Sequence, residues 1–178
     1  MSQSNSNTNA ILDMEKDRLD ESLVIPLDGY SDESEERGKK RFYGFKLGDV
    51  NLLIDPAVRS EVFSVLEITA VPLMPEYLVG LSSIRGSLIP VYDLNNKLNL
   101  KSNATNSENK RILVLDDDEN MAGIQIEDMV VSHQFDEQDL QDDVQSEVDS
   151  INKFLTYSYR YEGQNYFGFN HIKLFSSQ

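Results

Sequence analysis

Residues Glu61 to Leu94 read EVFSVLEITAVPLMPEYLVGLSSIRGSLIPVYDL, and the fold is decided there. Glu61 lies among Val62, Phe63 and Val65 on a loosely alternating stretch, Val58 to Val65, that reads as one β-strand. Pro72 and Pro75 then remove two backbone donors and break the ladder. Tyr77 to Ile84 and Ser87 to Leu94 follow as two more short strands, with Arg85-Gly86 between them. Gly80 and Gly86 mark backbone of positive φ or close packing. Pro90 inside a strand marks an edge or a bulge, because proline donates nothing to a ladder. An edge is where another chain adds on. Arg85, between Ile84 and Gly86 at the bend, needs acceptors or solvent for its guanidinium. Glu61 is the expected partner, since strands of one small barrel are never far apart.

Outward from this run the texture stays β-like. Arg41 to Leu47 (RFYGFKL) and Val50 to Ile54 (VNLLI) flank Gly48-Asp49 and read as a hairpin. Asn95 to Leu100 fits one helical turn, and Lys101 to Lys110 (KSNATNSENK) is a polar loop. Beyond it, Arg111 to Leu115 is a strand and Met121 to Val131 a second strand region. Phe135 to Ile151 is a long acidic connection, and Phe154 to Tyr161 with Tyr166 to Phe169 a late hairpin. Short strands at this spacing suggest a barrel or a sandwich rather than βαβ units, and the expected fold is mainly β, as two small five-stranded SH3-like or OB-like barrels. The expected division is a first barrel over about 41–100 and a second over about 110–175, within one domain at 41–178.

Residues 1–40 read as a disordered acidic tail. They hold ten acidic and five basic residues with scattered aliphatics, too little apolar surface to offset ordering entropy. Ile11, Met14, Leu19 and Leu23 are spaced for one short amphipathic helix. The whole chain of 178 residues carries 16 Lys and Arg against 31 Asp and Glu, a net charge of −15. That balance opposes nucleic acid and anionic membrane as partners, since both are polyanions. The charge is uneven: between Arg111 and Lys153 there are 13 acidic residues and no Lys or Arg. With no cysteine there is no disulfide, thiolate nucleophile or Cys-liganded zinc. No run is apolar enough to span a membrane, and the N-terminus lacks a secretory pattern, so the expected compartment is the cytoplasm.

Chemistry is sparse. His133 and His171 have no ligand-like spacing, and no nucleophile elbow or phosphate loop is present. Arg111 to Asn120 (RILVLDDDEN) imitates the first strand of a phosphoacceptor domain. The alternative function it suggests is Mg²⁺-dependent phosphoacceptance at Asp116, Asp117 and Asp118. Only 63 residues follow Leu115, too few for that fold's repeated βα units.

The order Glu61-Val62, Val71-Pro72, Pro75, Gly80, Ile84-Arg85-Gly86, Ile89-Pro90-Val91 and Asp93-Leu94 resembles the CheW-like domain family of bacterial chemosensory systems. Tyr43 to Asp55 is similar to that family's opening hairpin, and Ile112–Leu115, Gly123–Glu127 and Phe154–Phe175 fit its second half. The resemblance implies two intertwined five-stranded β-barrels around a shared core. It implies a non-catalytic adaptor, with no cofactor and no metal, joining the tip of a methyl-accepting chemoreceptor to the regulatory domain of a CheA-type histidine kinase. It puts Arg85, paired with Glu61, at the receptor-facing groove, with Ser83, Ile84, Gly86 and Arg59 beside it and Gly80, Pro90 and Asp93 as structural positions. Departures are Ser83 where the family has Asn, Arg59 where it has an aliphatic, Ile126-Glu127 in place of Val-Asp, and Thr156-Tyr157 after Phe154-Leu155. The acidic tail and Leu52-Leu53-Ile54-Asp55 resemble PilI-like adaptors of type IV pilus twitching systems more than flagellar ones.

Overall fold

The computed structural model describes residues 24–26, 38–64, 66–101, 110–117 and 120–177. Residues 10–23 of the helix expected over Ala10 to Ile25, and most of the expected tail, lie outside them; Val24 and Ile25 at its end are strand instead. Twelve strands are described. They are β1 (Val24–Pro26), β2 (Lys39–Leu47), β3 (Val50–Ile54), β4 (Arg59–Phe63), β5 (Leu78–Ile84) and β6 (Ser87–Tyr92). Then follow β7 (Arg111–Asp116), β8 (Met121–Ile126), β9 (Val131–Asp136), β10 (Leu140–Gln141), β11 (Leu155–Tyr161) and β12 (Gln164–Phe169). Among the described residues three short α-helices punctuate them, α1 (Leu94–Lys97), α2 (Asp149–Asn152) and α3 (His171–Ser176), with one 3-10 turn at Glu137–Asp139.

The strands form two sheets, in the orders β1-β4-β7-β8-β6-β5 and β10-β11-β12-β3-β2-β9. We call these sheets A and B. Each is a five-strand set, as the resemblance implied, extended by one short strand: β1 in sheet A and β10 in sheet B. The expected split into a barrel over 41–100 and another over 110–175 needs correction. β2 and β3 leave the first half to join β9–β12, while β7 and β8 leave the second half to join β4–β6. The physical reason is visible in β3 and β7. Leu52, Leu53 and Ile54 are all buried, as are Ile112, Leu113, Val114 and Leu115. A strand apolar on both faces belongs inside a sheet. β3 sits between β2 and β12, the latter pairing being parallel. β7 sits between β4 and β8.

Three apolar clusters result. The largest joins one face of each sheet and includes Phe45, Leu52, Val62, Leu113, Ile124 and Phe169. Sheet A encloses Phe63, Ile84, Ile89, Val91, Ile112 and Val114 on its other face. Sheet B encloses Phe42, Leu53, Phe135 and Tyr159, with Tyr157 and Tyr166 packed alongside. Phe135 stacks on Tyr159 at 4.8 Å between ring centroids. Alternation along β4 assigns the faces: Ser60 and Val62 turn to the shared core, while Glu61 and Phe63 turn to sheet A's own cluster.

Two further expectations shift. Val24–Pro26, placed in the tail by composition, form a strand on β4, and β2 begins at Lys39 rather than 41. Met121 to Val131, read as one strand region, is β8 plus the start of β9; between them the chain crosses from sheet A to sheet B.

Candidate functional site

β5 and β6 pair antiparallel, with Ile84 opposite Ser87, so Arg85 and Gly86 alone make the turn. Both have positive φ, 51° and 82°. That is the primed hairpin geometry whose twist matches the flanking strands, and it ordinarily selects Asn-Gly. Glycine at 86 meets the requirement without strain, and a Cβ there would touch nothing within 4 Å. Arginine at 85 meets it at a cost of the order of 1 kcal/mol. The turn lifts the Arg85 side chain over sheet A, where its Nη2 donates to Glu61 on β4 at 2.9 Å. The arginine side chain keeps 67% of its surface exposed and the glutamate 20%. An ion pair that open contributes about 0.2–1 kcal/mol.

A second ion pair lies alongside. Arg59 at the start of β4 stands opposite Asp116 at the end of β7, and its Nη2 donates to the carboxylate at 3.0 Å. The sequence reading named Arg59 but missed its partner. The signal was available: opposite charges closing two apolar strands are placed to meet if those strands pair antiparallel. Val114, Ile84 and Met121 floor the hollow between the two pairs, which is the polar mouth of sheet A's cluster.

A groove along β6 shares Asp116 and Met121 with this hollow. β6 pairs with β8 only at Val91 and Tyr92, so the strands splay below that point and leave Leu88, Pro90, Met121 and Phe175 along the walls. Leu88 is 67% exposed, and Phe175 of α3 stacks on Tyr92 at 5.3 Å. Pro90 lies just before the β8 ladder starts, where no donor is needed. None of Leu88, Met121 or Phe175 was singled out from sequence. Isolated apolar residues in a β-rich chain read as core, but Leu88 is exposed and Met121 and Phe175 are only half-buried.

Ile84 is buried beneath the turn and Ser83 is exposed beside it. Gly80 is a close-approach position: a Cβ there would strike the Thr69 carbonyl oxygen, whose strand-like segment bridges to Leu81. Asp93 caps α1, accepting from the Asn96 amide at 3.0 Å.

The acidic cluster of the alternative reading has other engagements. Asp116 holds Arg59. Asp117 accepts from the Asn120 amide at 2.7 Å and lies 3.2 Å from His171 Nε2. Asp118 is outside the described residues. β7 is antiparallel to both neighbours, whereas the strand that ends in phosphoacceptor carboxylates belongs to a parallel βα array. Among the described residues no group of three His, Cys, Asp or Glu is placed to hold a metal ion, and no helix is long and apolar enough to cross a membrane.

Comparison with known proteins points one way. The family model of the CheW-like domain matches residues 41–178. A chemotaxis protein CheW of Helicobacter pylori is 29% identical over 117 residues, covering 66% of this chain and 69% of that protein. A probable chemotaxis protein CheW of Rhizobium etli is 28% identical over 72 residues, 40% of this chain and 46% of that protein. Among solved structures, the scaffolding protein TtCheW of Thermoanaerobacter tengcongensis matches with a TM-score of 0.64 at 23% identity. The match covers 78% of this chain and 94% of that one, and bears on the fold.

Proposed function

We propose that this chain, which belongs to the CheW-like domain family, is a non-catalytic chemosensory adaptor coupling methyl-accepting chemoreceptors to the regulatory domain of a CheA-type histidine kinase. One observation carries the reading. Arg85 holds a backbone conformation that asparagine or glycine would adopt at lower energy, yet it presents a long cation to solvent. Its ion pair is too open to offset that cost by more than about 1 kcal/mol. A side chain poor for the turn and worth little to the fold suits an interface, where truncating a central arginine typically costs about 2 kcal/mol or more of binding. The surroundings support this: the apolar residues Leu88 and Met121 lie next to the charged residues Arg59 and Asp116, the apolar-centre, polar-rim pattern of recognition surfaces. The adaptor would work in the cytoplasm. Output to twitching motility through a type IV pilus is favoured over flagellar output by the acidic N-terminal segment and by Leu52-Leu53-Ile54-Asp55.

The test separates fold from partner. Arg85→Ala is expected to melt within a few degrees of wild type and to lose about tenfold or more in affinity for a kinase regulatory domain or a receptor tip. Glu61→Ala should lose less, because it orients the arginine. Capture of both partners by Arg85→Ala at the wild-type level would remove this surface from the coupling role.

A further inference from the structure

The edge of sheet A beside the arginine site is occupied by a strand of this same chain. β1 lies antiparallel on β4, with Val24 opposite Phe63, Ile25 opposite Val62 and Pro26 opposite Glu61. It is three residues long, where β4 has five and β7 six. Residues 27–38 separate it from β2. The other neighbour of β4 is β7, so without β1 a row of β4 backbone donors and acceptors faces outward, which is a template for an added strand. The register ends β1 at Glu61, the residue that holds Arg85. The sequence around β1 is Asp20-Glu21-Ser22-Leu23-Val24-Ile25-Pro26-Leu27-Asp28. It is an apolar run between carboxylates, and the antiparallel register brings its Pro26 end to the end of β4 that carries Arg59.

We infer that the outer edge of β4 is a strand-docking site and that β1 is its resident occupant. The partner it fits is an extended peptide segment with a short apolar run followed by an acidic residue, which enters by displacing Val24–Pro26. A three-residue ladder is weak by itself, but the tether holds it at high local concentration. An incoming strand must therefore be longer or better matched than β1. β1 thus sets the threshold for reaching the edge next to Glu61. The inference does not depend on the adaptor reading, because its test uses this chain alone.

The probe is a fluorescein-labelled peptide of residues 18–30, and the protein is the full chain, as wild type and as the double variant Val24→Pro, Ile25→Pro. In hydrogen exchange, β4 amides on the β1 side should exchange about tenfold or more faster in the variant, with those facing β7 unchanged. The peptide should bind the variant, lose affinity as salt rises, and bind wild type far more weakly, because the resident strand competes. The same peptide carrying Ile25→Pro should not bind. Three results would overturn the proposal: no peptide binding to a variant whose β7-facing amides stay protected, equal β4 protection in both chains, or loss of protection throughout the variant. The last would make β1 an integral strand rather than a displaceable one.

Discussion

Arg85 shows how much one dihedral angle says. Its φ of 51° sits where asparagine followed by glycine is the favoured pairing. Arg85→Asn should therefore relieve strain of the order of 1 kcal/mol while giving up an exposed ion pair worth about 0.2–1 kcal/mol. The expected outcome is a melting temperature equal to or above wild type, together with lost capture of the kinase domain. A clear drop in stability would make the arginine a structural residue. The pairing of Arg85 with Glu61 was legible in the sequence, because a cation between an apolar residue and glycine at a bend has few places to go. The strained backbone was not, since Ile-Arg-Gly-Ser carries no mark of handedness until the register leaves two residues for the turn.

At the scale of elements, hairpins were legible and edges were not. β2–β3, β5–β6 and β11–β12 each announce themselves by two apolar runs around a glycine. β1 did not, because three aliphatic residues in an acidic, serine-rich segment look like any other part of it; their strand exists only because β4 offers an edge. The divide between β8 and β9 was hidden for a similar reason: Glu127 to Val130 has the texture of a strand, and the change of sheet is a tertiary event. Gly80 is the sharpest element-level position. β5 bulges between Leu78 and Gly80 where the Thr69 segment crosses it. Since the Thr69 backbone, with the Ile68 side chain beside it, fills the space a Cβ would take, Gly80→Ala should destabilise by roughly 2 kcal/mol or more, measured by denaturant unfolding. An unaffected midpoint would show that the crossing segment yields.

Across the whole molecule, titration and topology each leave a signature. His133 packs against Phe135 and Tyr166, at the wall of a groove that also holds Lys46 and Asp128. Burial lowers its pKa below the ordinary 6.5. The folded protein then binds this proton less readily than the unfolded chain, so its share of stability is whole above the ordinary value and is lost as pH falls toward the folded one. His133→Gln should lose less melting temperature than wild type between about pH 7.5 and about pH 5; parallel losses would place the acid sensitivity elsewhere. The exchange of strand pairs between the sheets has a different consequence. Sheet A needs β7 and β8 beside β4 to β6, and sheet B needs β9 to β12 beside β2 and β3. On the ribosome, therefore, neither sheet closes until the second half emerges. A chain severed between Lys101 and Lys110 would yield two pieces, each unable to complete a sheet and each supplying what the other lacks. Such pieces, expressed separately and fused to the halves of a reporter, should light up only on meeting.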